Sequence, residues 1–178
     1  MAKPIRRIVT GHNQAGKSII LSDGPAPNSA SPPGVPDLVN TVLWVTDSCP
    51  ASNRGSEDAS PRGRRLGIEP PSHGSVFRIV DFPPDQVFEG VDVRKMMAEV
   101  GGAHVVDRGN PRHAMFHKTS TVDYALVLEG EVWAMLDEGE TLMCAGDVLI
   151  QRGTNHSWSN RSSENCRIAF ILLDAEPV

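Results

Sequence analysis

Two stretches decide how this chain folds: His117–Gly130, HKTSTVDYALVLEG, and Gly146–Asn160, GDVLIQRGTNHSWSN. Each sets a histidine beside a short β-branched run bounded by turn residues, the pattern of a strand in a hairpin. With HKT in a strand, His117 and Thr119 face the same way about 6.6 Å apart, and His113 and Met115 continue that row. The second stretch returns His156 to the same interior, with Trp158 on its face. His117, His156 and Asp123 are then expected to converge as two imidazoles and a carboxylate. That set suits Fe(II), with Mn, Ni, Co or Zn as other occupants, and leaves coordination positions open. Thr119 is expected to orient a water or a substrate carboxylate, and Met115 and Trp158 to supply apolar pocket wall. His113 lies roughly 13 Å from His117 along a strand, too far to share an ion, so it is expected at the pocket mouth.

Outward from this core, short β-branched runs recur: RRIVT, SIIL, NTVLWVT, SVFRIVDF, DVLIQ and CRIAFILL. Many short strands separated by Gly and Pro define an all-β barrel or sandwich. VDVRKMMAEVGG is the exception, with Asp92 as N-cap, Val93, Met96, Met97 and Val100 at helical spacing, and Gly101 as the stop. Residues 22–37 and 47–74 are expected as loops, and the Arg62, Arg64, Arg65 cluster as solvated surface.

GHNQAGKS, residues 11–18, fits the phosphate-cradling pattern G-x-x-x-x-G-K-[ST]. A phosphate loop must open a helix, whose N-terminus helps hold the anion. The residues after Ser18 are IILSDGPAP, which end any helix within two turns. RRIVT and KSIIL therefore predict a β-hairpin with Asn and Gly in its turn.

At 178 residues one domain is the expectation, and 17 Lys and Arg against 22 Asp and Glu argue against nucleic acid or a membrane surface as partner. Three cysteines, Cys49, Cys144 and Cys166, in no close pairing, fit a reducing compartment. No run approaches the ~18 apolar residues of a membrane span, and a cytoplasmic protein is expected.

Around these residues the chain resembles the cupin superfamily. That family's first motif is written G-x5-H-x-H-x3-4-E-x6-G and its second G-x5-P-x-G-x2-H-x3-N. His117, Gly130, His156 and Asn160 fall in place, Thr119 stands at the second histidine, Asp123 at the glutamate and Gln151 at the proline, and the interval from Gly146 to His156 is one residue short. The resemblance covers roughly residues 109–174. It implies a double-stranded β-helix (jelly-roll) barrel core over 109–178, with residues 1–108 as extra strands, loops and one short helix packing on it. It also implies a divalent metal ion and a small-molecule ligand.

Two functions follow from that resemblance. One is a metal-dependent enzyme acting on a small organic acid or aromatic molecule, of dioxygenase, decarboxylase, dehydratase or isomerase type. The other is a barrel that binds a small ligand without turning it over, the missing histidine having removed catalysis. Arg152 is a candidate anion holder at the rim, and free strand edges in the N-terminal segments predict a homodimer.

Overall fold

Alternating apolar and polar residues organise most of the chain into strands, as β6 (Thr121–Glu129) shows by burying every second side chain at its start. A computed structural model describes residues 3–107, 109 and 112–178. The boundary expected between 108 and 109 falls at a residue outside this range.

β1 (Arg6–His12) and β2 (Ser18–Pro25) pair antiparallel as the predicted hairpin. Asn13 Oδ1 accepts from the backbone N–H groups of Ala15 and Lys17 at 2.9 and 3.0 Å, and Gly16 takes a φ of 72°. The strand after Ser18 leaves no helix to hold a phosphate, so the motif match carries no nucleotide site.

Six strands make the larger sheet, in the order β3-β4-β5-β11-β6-β9. Besides β6 these are β3 (Asn28–Ala30), β4 (Val39–Thr46), β5 (Ser75–Phe82), β9 (Val148–Arg152) and β11 (Cys166–Asp174). The smaller sheet has the order β10-β7-β8, from β7 (Glu131–Leu136), β8 (Glu140–Cys144) and β10 (His156–Ser159). The two sheets close on a core of Ala125, Val127, Val132, Ala134, Met143, Trp158, Cys166, Ile168, Phe170 and Leu172. This is the expected all-β cupin barrel.

Two expectations change. The loop placed over 22–37 is partly strand, because β2 runs to Pro25 and β3 occupies Asn28–Ala30. The N-terminal strands are also part of the wall: β5 pairs with β11 from Ser75↔Leu173 to Phe82↔Cys166. Residues 47–74 do form a strand-free segment, tied down where Ser60 Oγ donates to the Val42 carbonyl at 2.8 Å and Arg7 pairs with Asp58 at 2.5 Å.

Helix α1 (Val93–Glu99) forms as read, with Asp92 Oδ1 accepting from Lys95 N at 3.1 Å and Gly101 at φ 76° beyond its end. Its Met96 and Met97 enter a second cluster with Val35 and Met115. The β6–β7 turn requires Gly130: its φ is 77°, and a Cβ there would lie 2.7 Å from the Asn165 carbonyl oxygen.

Asn160 is fully buried and fastens the connection after β10. Its Nδ2 donates to the carbonyls of Phe82 and Glu164 at 3.0 and 2.8 Å, and its Oδ1 accepts from Ser162 N and Oγ. Asp81 and Arg167 form a buried ion pair between β5 and β11 at 2.8 Å.

Candidate functional site

Between the two clusters lies a cavity of about 170 Å³, walled on one side by Met96, Met97 and Met115 and on the other by Trp158, Phe170 and Leu172. His117, Thr119, Asp123 and His156 also line it. These four are among the polar groups that the sequence reading set on one inward face.

The two imidazoles are brought together by backbone pairing. The N–H of His117 donates to the His156 carbonyl at 2.9 Å and that of His156 to the His117 carbonyl at 3.0 Å, so the two residues form an antiparallel bridge. Their ring centroids stand 4.3 Å apart. Each ring is fixed by a backbone carbonyl: Nδ1 of His117 donates to Met115 O at 2.8 Å and Nδ1 of His156 to Thr154 O at 2.9 Å. A carbonyl accepts only, so the proton sits on Nδ1 and Nε2 carries the lone pair in both rings. Burial pushes both imidazoles toward the neutral form. His117 titrates below its ordinary range despite the Met115 carbonyl, and His156 is driven down to about 3 by burial and then by its neighbour His117.

Asp123 reaches the cavity from β6 and is 5% exposed. Burial raises its carboxyl to about 6, against the opposing pull of the Thr121 hydroxyl and the Arg78 charge. Thr119 is buried and shares a 2.7 Å hydrogen bond with the Thr121 hydroxyl. Trp158 stands edge-on to both His156 and Phe170, at centroid distances of 5.9 and 5.4 Å.

The expected metal centre is only partly assembled. His117 and His156 offer two Nε2 donors, but among the described residues no group of three or more His, Cys, Asp or Glu side chains could hold an ion. Asp123 thus lines the same cavity without completing a triad, and the donor set does not fit a three-ligand site.

His113 does not line the cavity. Its segment is not a strand, since regular pairing begins only at Thr121 and His117 makes isolated bridges. Parity therefore fails there, and His113 turns to Ser157 Oγ at 2.6 Å and toward Asp85 at 3.8 Å. Arg152 faces a separate shallow recess with Lys118 and Asn155.

Arg78 and Asn40 are the groups that sequence reasoning missed. Both line the cavity, from β5 and β4. Arg78 is 7% exposed, donates to the carbonyls of Gly67 and Ile68 at 3.1 and 2.9 Å, and is pushed down to about 10 by burial against the attraction of Asp123. The signal was available: in SVFRIVDF, Arg78 shares a face with Val76, Val80 and Phe82, an inward position for a cation.

The barrel, its paired motif histidines and its buried asparagine define a cupin, and the chain belongs to the cupin superfamily. No family model matches it. It is 32% identical over 178 residues to the phomopsin biosynthesis cluster protein C' of Diaporthe leptostromiformis, covering 97% of this chain and 79% of that protein. It is 27% identical over 179 residues to the cupin-domain-containing oxidoreductase virC of Hypocrea virens, covering 97% of this chain and 77% of that one. The crystal structure of a Cupin 2 conserved barrel domain protein from Salinispora arenicola is 13% identical, with a TM-score of 0.41 over 82% of each chain. No helix among the described residues is long and apolar enough to cross a membrane.

Proposed function

We propose that this chain is a cupin-type oxidoreductase whose substrate, a small organic acid or single-ring aromatic molecule, binds in the cavity between the two hydrophobic clusters. The observation that carries this proposal is the pair of imidazoles held with unprotonated Nε2 atoms in an otherwise mostly apolar interior. Relatives named as cupin-domain-containing oxidoreductases supply the reaction class. The cavity volume of about 170 Å³ exceeds the ~150 Å³ of an engineered apolar cavity that admits benzene, which sets the size of the ligand.

In this scheme Trp158 and Phe170 hold the body of the ligand by edge contacts and exclude water. His117 and His156, neutral at pH 7, accept hydrogen bonds from a substrate hydroxyl at Nε2 and can hold its proton as charge develops. Two neutral imidazoles also suit a divalent ion, but among the described residues no third His, Cys, Asp or Glu joins them as a protein donor. That missing donor favours a second function, a barrel that binds its ligand without turning it over.

Incubating the purified protein with single-ring alcohols, aldehydes and acids, with and without added Fe(II), Mn(II) or Zn(II), and reading product mass separates the two. Turnover of at least one compound, reduced roughly 100-fold or more in His156→Gln, is expected for a residue acting in proton transfer. Saturable binding with no product across the panel would replace the oxidoreductase by the binding barrel.

A further inference from the structure

Four buried side-chain polar atoms among the described residues lack a hydrogen-bond partner: Asn40 Oδ1, Arg78 Nε, Asp123 Oδ1 and Asn155 Oδ1. Three of these residues, Asn40, Arg78 and Asp123, line the one cavity that also holds the paired imidazoles. A buried polar atom left unpaired is destabilising, so three around one space require an explanation. Missing partners supplied by a ligand provide one.

The fold sets these groups on one inward face. Arg78 lies opposite Phe170 across β5 and β11, Asp123 opposite Leu172 across β6 and β11, and Asn40 opposite Val80 across β4 and β5. β11 therefore runs between the arginine and the aspartate. On a flat sheet two strand spacings and a two-residue offset put their Cα atoms roughly 12 Å apart. Their charges attract across the cavity, yet Arg78 Nε and Asp123 Oδ1 both stay unpaired. Space is left between them.

We propose that Arg78, Asp123 and Asn40 form a recognition set for a small hydroxylated carboxylic acid. Arg78 Nε donates to the carboxylate, Asp123 Oδ1 accepts from the hydroxyl, and Asn40 Oδ1 accepts from a second hydroxyl or from a water that enters with the ligand. The donor and acceptor count selects this class, because the one unpaired donor belongs to a cation and the two unpaired atoms beside it are acceptors. A hydrocarbon would leave all three unsatisfied. An amine without an acid would leave the guanidinium facing a cation. The cavity volume limits the body to about one ring.

This inference rests on the cavity being the ligand site, as proposed above, but not on turnover. Calorimetry at pH 7.5 with the three hydroxybenzoate isomers, their hydroxybenzamide counterparts and unsubstituted benzoate tests it. The best acid isomer is expected to bind roughly tenfold tighter than its own amide, the margin of one charge-assisted hydrogen bond. Arg78→Gln is expected to erase that margin while leaving the amide within about threefold of its parent affinity, and Asp123→Leu, whose side chain offers no acceptor, to erase the preference for the hydroxy acid over benzoate. If Arg78→Gln does not fold, Arg78→Lys, which keeps the charge and loses the planar fork, must still narrow the margin.

Equal affinities of acid and amide in the parent protein would overturn the recognition set and leave the oxidoreductase proposal standing. No binding by any of the compounds at millimolar concentration would overturn both. Product formation from neutral compounds alone would overturn only the recognition set.

Discussion

Replacing Asp123 by Asn should stabilise the protein at neutral pH and do almost nothing in acid. Burial raises the carboxyl from 3.8 to about 6. A raised carboxyl means that the folded protein holds its proton more tightly than the unfolded chain does. Stability from this group is therefore complete below pH 3.8 and is lost as pH climbs through 6. The span is about 2.2 pH units, which at 1.36 kcal/mol each amounts to about 3 kcal/mol. For a chain of this size that corresponds to roughly 6–12 °C in Tm. Asn keeps the volume and removes the ionisation. Urea unfolding of parent and variant at half-unit steps from pH 4 to 8 gives the difference directly, and contributions common to both proteins cancel. The gap should open between pH 4 and 6 and be flat above. Parallel curves across the whole range would show that Asp123 is not held as a desolvated acid, and would remove the account of its place in the cavity.

His156 should act in the opposite direction. Its pKa is lowered from 6.5 to about 3, so stability is lost as pH falls below 6.5, by about 2 kcal/mol at pH 5, and His156→Gln should lose correspondingly less between pH 7 and 5 in the same assay. Asn160→Ala strands the Phe82 and Glu164 carbonyls and the Ser162 N–H, and should cost about 3 kcal/mol; a loss under about 1 kcal/mol would deny the asparagine its fastening role. Asp81→Ala leaves the buried Arg167 charge without its carboxylate, held only by the Lys3 carbonyl at 2.7 Å, and should cost about 3–5 kcal/mol by urea unfolding, whereas a cost near zero would mean that water reaches the guanidinium. A homodimer is the proposed assembly. Light scattering should then give twice 19.2 kDa, falling to one copy in Ile20→Glu if the β1–β2 hairpin is the contact, or in Ile150→Glu if the contact is the exposed apolar face holding Phe77, Ile171, Tyr124 and Ile150. A single-copy mass for the parent would exclude both.

Where the sequence carried a strong period, it located the structure. β6 and β10 placed Asp123, His156 and Trp158 on inward positions because strand alternation is rigid once a strand forms. The hairpin of β1 and β2 was legible for a different reason, since Ser-Asp-Gly-Pro forbids the helix that a phosphate loop needs. His113 escaped because the residues before Thr121 carry no ladder, and without one nothing fixes which way a side chain points. Asp123 was expected to join the two imidazoles, yet spacing in sequence says only which side of a wall a group occupies, not how far it reaches across the interior. The inward parity of Arg78 was legible in SVFRIVDF, but what Arg78 and Asn40 face was not, since that depends on strand partners far along the chain, with β5 meeting β11 across some ninety residues. Pairing of that kind is a property of topology, not of local pattern.

The position of β11 between the arginine and the aspartate bears on how such a barrel can diversify. Phe170 and Leu172 project from that strand into the gap, so trimming or enlarging them alters the length of molecule that fits while both polar ends keep their places. Descendants of this scaffold could thus exchange one ligand for a longer or shorter one by changing an apolar spacer alone, without rebuilding the charged groups that hold its ends.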